Sequence, residues 1–154
     1  MAAATRSKPK PATERRPKAA GRNETPAQRS AIMRAVKSRD TQPELVVRKL
    51  LWSIAPGYRL YRADLPGKPD IVYARRRLAI FVHGCFWHGH DCARGARAPR
   101  TNAAYWSAKI ARNRARDVAT LQKLAAQGWW TLVIHECELK DIDALQSRLG
   151  AALA

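Results

Sequence analysis

Residues 81–92, FVHGCFWHGHDC, concentrate the metal-binding side chains of this chain. They include His83, His88 and His90, three of the four histidines, and Cys85 and Cys92, two of the three cysteines. Thiolates and imidazoles in four-fold coordination are typical of structural zinc. With the third cysteine, the segment predicts a Cys₃His zinc site made of Cys85, His90, Cys92 and Cys137.

This zinc prediction has alternatives. The spacing C-x₄-H-x-C differs from that of standard zinc fingers. The cysteines could therefore be small buried hydrophobic residues beside a surface histidine. His88 competes with His90 as the fourth ligand. An odd number of cysteines argues against a disulfide framework.

Asp70 is a candidate ligand for a second metal ion. It follows LPGKP and begins an apolar segment of a basic protein. Mg²⁺ prefers oxygen ligands and can hold a phosphate, and the backbone carbonyl of Val82 could supply a second oxygen. The alternative is a turn or cap residue, which is the common role of a lone aspartate before a strand.

Two of the histidines and one further carboxylate could carry proton chemistry. His83 and His88 are candidates for a phosphate contact and a general base. Asp117 lies on a predicted helix, where helical periodicity places it on the same face as Trp106. Its carboxylate could orient a histidine, or it could be an ordinary solvated charge among neighbouring arginines.

Two aromatic residues, Phe86 and Trp87, lie in the same segment. They could pack beneath the loop as core residues. Exposed rings beside phosphate-binding cations can instead wedge between stacked bases. Three arginines follow in the chain: Arg94, Arg97 and Arg100. A loop stiffened by zinc would suit such a wedge.

The elements that position these residues alternate between helices and strands. Apolar periodicity and end signals predict helices over 28–38, 41–57, 102–128 and 141–154. They predict strands over 58–62, 70–74, 78–82 and 129–136. In the second helix, Thr41 is the expected N-cap, Glu44 completes a capping box, and Pro56 and Gly57 end the helix.

The order of these elements predicts which side chains meet. Strands 70–74 and 78–82 should form an antiparallel hairpin with Asp70 opposite Val82. The long helix is a crossover, so strand 129–136 should run parallel to strand 78–82 with a right-handed connection. Because parallel strands end at the same edge of a sheet, Cys85 and Cys137 should meet at the edge that also holds Asp70.

The composition indicates a polyanionic partner. The 154 residues carry a formal net charge of +17, with a pI of about 10.9. Nucleic acid is the first candidate and an anionic membrane surface the second. No apolar run approaches the roughly 18 residues of a membrane span. We therefore expect a soluble, intracellular protein without a signal peptide.

Residues 1–27 differ from the remainder of the chain. They are basic and rich in proline, and they contain no Leu, Ile, Val or aromatic residue. Such a segment cannot bury enough apolar surface to offset its ordering entropy, which predicts a disordered basic arm. A tail that mainly aids solubility is the alternative. Residues 28–154 are enough for a single domain.

Five segments together resemble the very short patch repair (Vsr) endonucleases. They are RSAIMRAVKSRDTQPE, LPGKPDIV, IFVHGCFWHGHDC, YWSAKIARNRARD and GWWTLVIHEC. The resemblance implies a restriction-endonuclease-like α/β fold of the PD-(D/E)XK type, with a mixed central sheet flanked by helices. It also implies an enzyme that requires Mg²⁺ and carries a structural Zn²⁺. Such an enzyme nicks one strand of duplex DNA 5′ of the thymine in a T·G mismatch, the lesion left when 5-methylcytosine deaminates.

The resemblance also implies roles for individual residues. Asp70 and the Val82 carbonyl would bind Mg²⁺. His83 and His88 would be the active-site histidines, with His88 as the base, and Asp117 would support them. The Cys₃His set named above would bind the zinc.

Further matches concern DNA contacts and one carboxylate. Phe86, Trp87 and Trp106 would wedge beside the mismatch, while Met33 would enter from the other groove. Glu44 matches an active-site glutamate, although the capping box explains it equally well. Two departures are Val82, where Thr is common, and HGHDC in place of a longer histidine run.

The partner expected from the resemblance is double-stranded DNA with a T·G mismatch. It also implies a monomer in the bacterial cytoplasm at the nucleoid. Functional links to a cytosine-5 DNA methyltransferase and to MutL-type repair proteins would follow. Two alternatives remain open: a restriction-like nicking or branched-DNA endonuclease with another target, and a zinc-stabilised DNA-binding module without catalysis.

Overall fold

The computed structural model describes residues 25, 27, 39–97, 99 and 102–154. The chain divides into two units, Met1–Val36 and Lys37–Ala154, and nearly all described residues belong to the second. Apart from residues 25 and 27, the predicted arm over 1–27 lies outside the described residues. The same holds for the helix predicted over 28–38, which includes Met33, and for Arg100.

The second unit is a mixed α/β fold. Its helices are α1 (Gln42–Ile54), α2 (Ala103–Ala126) and α3 (Ile142–Leu153). Its strands are β1 (Arg59–Leu60), β2 (Ile71–Tyr73), β3 (Leu78–His83) and β4 (Trp130–His135). Two short 3₁₀ helices, Ala74–Arg76 and Glu136–Lys140, follow β2 and β4. No described helix is long and apolar enough to cross a membrane.

The strands form one sheet in the order β1-β2-β3-β4. The first two pairs are antiparallel, and β3 pairs with β4 in parallel. The parallel pair confirms the prediction made from the crossover helix. β1 is shorter than predicted: only two residues of 58–62 are in a strand, and both are exposed.

The register of the hairpin differs from the prediction by one residue. Ile71 pairs with Ile80 and Tyr73 with Leu78, so the ladder, if extended, places Asp70 opposite Phe81 and not Val82. The turn causes the shift. The 3₁₀ turn Ala74–Arg76 is followed by Arg77 in the left-handed conformation at φ 49°. The connection therefore takes four residues.

Helices cover both faces of the sheet. On one face, Val47 and Leu51 of α1 and Leu145 and Leu149 of α3 pack with Ile71, Ile80 and Ile134. On the other face, Leu124 of α2 packs with Val72, Ala79 and Phe81. Both faces of β2 and β3 are thus buried, which accounts for their nearly continuous apolar sequences.

The predicted helix ends are largely confirmed. The Thr41 side chain caps α1 by accepting a hydrogen bond from the Glu44 amide, and the helix stops before Pro56. Gly128, at φ 74°, follows the end of α2. Asp141 caps α3 by accepting from the amide of Ala144. These ends fix where the loops around the sheet edge begin.

Candidate active site and metal centre

The parallel pairing of β3 with β4 brings two chain segments together at one edge of the sheet. His83, the last residue of β3, pairs with His135, the last residue of β4. The loop that begins at Gly84 and the 3₁₀ helix Glu136–Lys140 therefore start side by side. The cysteine–histidine loop and Cys137 meet there, as the topology predicted.

Four thiol and imidazole groups converge at this edge. The ligand atoms of Cys85, His90, Cys92 and Cys137 all lie within 4.8 Å of one another. The Cys137 amide donates to Cys85 Sγ at 3.3 Å, and Cys137 Sγ lies 3.5 Å from Nδ1 of His90. All three cysteines are free thiols. Donors of these types at this spacing fit one tetrahedral metal ion.

The thiols of this cluster have unequal acidity. Burial raises the pKa of Cys85 to about 12. Hydrogen bonding, chiefly with His90, lowers the pKa of Cys92 to about 6. A bound cation would favour the thiolate form at both positions, because a coordinating thiol loses its proton. The Nε2 atom of His90 lies 3.4 Å from Oδ1 of Asp91. The Asp91 side chain is 98% exposed, so this surface contact adds little to the position of His90.

Gly95 closes the cysteine–histidine loop. A Cβ atom at this position would lie 1.9 Å from the His90 carbonyl oxygen and 2.9 Å from that of Cys85. No side chain fits in this space without moving the backbone of a cluster residue. Gly95 was not predicted to be a structural residue of this loop, because no sequence pattern distinguishes a glycine within an irregular segment.

His88 lies outside this cluster and contacts Asp117. Its Nδ1 atom is 2.5 Å from Oδ2 of Asp117 on α2, and its ring stacks on His83 with centroids 3.6 Å apart. The geometry thus favours His90 as the fourth member of the cysteine cluster. It also favours a histidine-orienting Asp117, whose side chain is only 20% exposed, over a solvated charge.

His83 is a neutral imidazole at physiological pH. Burial, with a smaller contribution from His88, lowers the pKa of His83 to about 3. It can therefore exchange hydrogen bonds with a ligand but adds no positive charge. The fourth histidine of the chain, His135, stacks on His90 with centroids 4.0 Å apart and lies 6.0 Å from His83. It separates the cysteine cluster from the His83–His88 pair.

Asp70 immediately precedes β2 and is partly buried. Its Oδ2 atom accepts a hydrogen bond from the Val82 amide at 2.8 Å. Burial raises the pKa of Asp70 to about 6. Among the described residues it has no ion-pair partner. A buried carboxylate without a cation in contact fits a site for a divalent metal ion, which would stabilise its ionised form.

The predicted wedge residues form one aromatic cluster with α2. The rings of Phe86 and Trp87 lie 5.7 and 5.8 Å from that of Trp106. Trp106 is buried, whereas Phe86 and Trp87 are only partly buried. The ammonium group of Lys109 lies 5.4 Å from the Trp106 ring and 5.5 Å from the Trp87 ring. Lys109 was not predicted as a site residue, although it follows Trp106 by three residues on the same helix.

A second contact from α2 holds this loop. The Nδ2 atom of Asn113 donates to the Trp87 carbonyl at 2.9 Å. Asn113 lies one helical turn before Asp117, which holds His88. Helical periodicity places Asn113 on the same face as Asp117, but its partner depends on the loop conformation, which the sequence does not give.

The remaining predicted site residues are spread more widely. Arg94 forms an ion pair with Glu136 at 2.9 Å, and Arg97 is exposed. Glu44 is buried at the start of α1 and bonds to the Thr41 hydroxyl at 2.9 Å. Met33 and Arg100 belong to the part of the chain that is not described.

Known proteins share these segments. The family model described as DNA mismatch endonuclease Vsr matches residues 23–94. The chain is 52% identical over 125 residues to the type II nicking enzyme V.XorIIP of Xanthomonas oryzae pv. oryzae, covering 81% of this chain and 91% of that protein. It is 40% identical over 119 residues to DNA mismatch endonuclease Vsr of Escherichia coli K12, covering 77% and 76%. Type II nicking enzyme V.NmeAIP of Neisseria meningitidis is 38% identical over 126 residues, covering 82% and 89%.

Proposed function

This chain belongs to the Vsr family of DNA mismatch endonucleases, and we propose that it nicks one strand of duplex DNA 5′ of the thymine in a T·G mismatch. It is a DNA endonuclease, hence a hydrolase of phosphodiester bonds. We further propose Mg²⁺ as the catalytic ion, Zn²⁺ as the structural ion, and a restriction-endonuclease-like arrangement of the α/β core.

One observation carries this proposal. The aromatic residues and the histidines occupy one short loop, and α2 holds neighbouring residues of both groups. Asn113 bonds to the backbone of Trp87, and Asp117 bonds to the side chain of His88. A ring inserted beside a mismatch would therefore place a histidine next to the sugar–phosphate backbone of the same base step.

The proposed base is His88. An ionised carboxylate only accepts hydrogen bonds, so Asp117 keeps the proton of His88 on Nδ1 and leaves Nε2 free to accept one. In the proposed reaction a water oxygen forms the new bond to phosphorus and the bond to the leaving oxygen breaks. The water proton passes to Nε2, and the leaving oxygen takes a proton from solvent. Neutral His83, stacked beside it, is placed to hydrogen-bond a phosphate oxygen.

Asp70, with the Val82 carbonyl as the proposed second ligand, would hold Mg²⁺. A bound divalent ion supplies charge stabilisation to a phosphoryl oxygen and lowers the pKa of a water molecule. The Val82 amide fixes one oxygen of the Asp70 carboxylate. The other oxygen, Oδ1, is the atom that would face the metal ion.

The cysteine cluster would hold Zn²⁺ as a structural ion. All four positions of a tetrahedral ion would then be protein ligands, which leaves none for a substrate. Such a site would stabilise the conformation of the loop that carries Phe86 and Trp87. A rigid loop makes ring insertion less costly in conformational entropy.

Selectivity for T·G would follow from the stability of the base step. A wobble pair stacks less stably than a Watson–Crick pair, so opening the step beside it costs less. The formal charge of +17 would supply affinity for the phosphates of any sequence. We propose a monomer that acts in the bacterial cytoplasm on mismatches left by a cytosine-5 DNA methyltransferase, with a functional link to MutL-type repair proteins.

Matched duplexes test this function. Zinc-loaded protein is incubated with T·G and T·A duplexes of the same sequence, with and without added Mg²⁺, and with varied flanking bases. The proposal expects nicking of T·G only, and only with Mg²⁺. Equal nicking of both duplexes, or of branched DNA alone, would favour a nicking enzyme with another target. Binding that shifts T·G DNA in a gel but leaves it intact would favour a module without catalysis.

A further inference from the structure

A polar network, buried at Glu44 and Arg48, lies around the start of α1. It consists of Asp40, Glu44, Arg48 and Tyr61, and is called the Glu44 network below. Oε2 of Glu44 accepts from Arg48 Nη2 at 2.7 Å, from the Tyr61 hydroxyl at 2.7 Å and from the Asp40 amide at 3.0 Å. Glu44 is 3% exposed, and the Thr41 hydroxyl occupies its other oxygen. Protein donors therefore contact both oxygens of this buried carboxylate.

Arg48 contributes a buried positive charge to the Glu44 network. Its Nη1 atom pairs with Asp40 at 2.6 Å, and its Nη2 atom pairs with Glu44. Its Nε atom is buried and has no hydrogen-bond partner among the described residues. Burial of charges costs several kcal/mol, and apolar residues of similar volume are often as stable. The network is therefore better explained by the geometry that it imposes than by the stability that it adds.

Tyr61 connects the Glu44 network to the proposed metal site. Its amide donates to the Asp70 carbonyl oxygen at 3.3 Å, while its hydroxyl contacts Glu44 and accepts from the Asp40 amide at 2.8 Å. Its φ of 50° lies in the left-handed region, which a tyrosine adopts rarely and with strain. This strained backbone directs the ring to α1 while the amide stays on Asp70.

Two guanidinium groups also hold the ring of Tyr61. The guanidinium of Arg48 lies 5.0 Å from the centre of the Tyr61 ring, and that of Arg39 lies 4.8 Å from it. The tyrosine is therefore held by its ring as well as by its hydroxyl.

We propose that Tyr61 and Arg48 are positioning residues of the metal site, which hold the backbone of Asp70 through the Glu44 network so that its carboxylate is ready to bind a divalent cation. This inference rests on the proposed Mg²⁺ site and deepens it. It gives Glu44 a positioning role in place of direct contact with the metal ion or the substrate. Groups that orient a metal ligand typically change metal affinity by roughly 10–100-fold when they are removed.

Metal binding without DNA tests the inference. Mn²⁺ takes the same oxygen ligands as Mg²⁺, and free Mn²⁺ can be followed by electron paramagnetic resonance. It is titrated into the zinc-loaded full chain of the wild type, of Tyr61→Phe and of Tyr58→Phe. Tyr58 is a matched control, because its hydroxyl donates to the Arg48 carbonyl at 3.2 Å and has no described contact with Glu44 or Asp70. Asp70→Asn defines the Mn²⁺ binding that does not depend on Asp70.

The expected result is a dissociation constant for the Asp70-dependent Mn²⁺ that is roughly 10-fold higher in Tyr61→Phe and unchanged in Tyr58→Phe. Arg48→Lys keeps the positive charge but cannot pair with Asp40 and Glu44 at the same time, so it should also raise this dissociation constant. It replaces Tyr61→Phe as the test if that variant does not fold. Wild-type affinity in the folded variants would overturn the inference, as would an equal loss in Tyr58→Phe. A wild type that binds Mn²⁺ through Asp70 but does not nick T·G DNA would contradict the proposed function and leave the inference standing.

Discussion

The Nδ1 atom of His88 lies 2.5 Å from Oδ2 of Asp117, which ties the loop after β3 to the middle of α2. This contact determines which ring nitrogen of His88 is available to a substrate. One turn earlier on the same helix, Asn113 holds the carbonyl of Trp87. The helix therefore positions the proposed base and one proposed wedge residue through adjacent turns.

Asp117→Asn should slow nicking of T·G DNA by roughly 10²–10⁴-fold. An asparagine amide can donate to Nδ1 and so favour the wrong tautomer of His88. Binding to DNA should change little, because Asp117 contacts the histidine and not the duplex in this account. Single-turnover nicking at saturating protein measures the effect. Asp143→Asn, an exposed acid in α3, is the control, and a wild-type rate in Asp117→Asn would remove Asp117 from the mechanism.

Asp70→Asn should abolish nicking and, without Mg²⁺, stabilise the fold at neutral pH. The pKa of Asp70 is about 6 in the folded protein against an ordinary 3.8. As pH rises, the Asp70 carboxyl therefore ionises in the unfolded chain before it ionises in the folded protein. Its contribution lowers the free energy of unfolding between about pH 4 and 6, and the free energy stays lower above that range. The gain from the neutral amide should be of order 1–3 kcal/mol above pH 6 and should vanish near pH 4.

Thermal melting of zinc-loaded, Mg²⁺-free Asp70→Asn and wild type at pH 4 and pH 7.5 measures this difference in stability. The control is Asp64→Asn, an exposed acid paired with Arg62, which should not raise Tm. A lower Tm for Asp70→Asn than for wild type at pH 7.5 would show that the carboxylate is not destabilising.

The cysteine cluster should bind about one zinc per chain, and removal of that zinc should destabilise the fold, because metal-binding energy is folding energy. Elemental analysis and melting with and without a chelator measure both effects. Cys137→Ser should lower zinc content and Tm together. Asp91→Asn should retain the zinc, since Asp91 touches only the outer nitrogen of His90. Folded, zinc-free protein that melts like the wild type would contradict a structural zinc.

Trp87→Ala should weaken binding to T·G duplexes more than binding to T·A duplexes, because a wedge gains most where stacking is already weak. Titrations of both duplexes measure this ratio, and Trp52→Ala, an exposed tryptophan on α1, is the control. Arg97→Ala should instead weaken both complexes about equally and reduce the salt slope by roughly one. A Trp87→Ala protein that melts like the wild type and discriminates as well would exclude the wedge.

Much of the sheet edge could be predicted from the sequence. Continuous apolar strands and a long crossover helix imply that β3 and β4 run parallel, so Cys85 and Cys137 had to meet. The hairpin register could not be obtained in this way. Both faces of β2 and β3 are buried, so a shift of one residue exposes nothing, and the pattern does not fix the pairing. The position of Asp70 relative to Val82 was therefore wrong by one residue.

Contacts that depend on loop conformation could not be predicted from the sequence. Helical periodicity gave the face of α2 that carries Asp117, but the partner of Asp117 depends on the path of residues 84–92. The Glu44 network joins residues up to 21 positions apart through a tyrosine at φ 50°. No propensity favours that conformation for a tyrosine. No sequence pattern therefore predicted the contact between Arg48 and Tyr61, whereas the capping-box pattern predicted the Thr41 cap.

The most direct test of the account is to map the nick at single-nucleotide resolution. T·G duplexes labelled on one strand or the other are incubated with wild type, Asp70→Asn and His88→Ala in Mg²⁺. The account predicts a single cut, immediately 5′ of the mismatched thymine, that is absent in Asp70→Asn and slowed by roughly 10²–10⁴-fold in His88→Ala. Cuts on both strands, cuts elsewhere, or a wild-type rate in Asp70→Asn would contradict it.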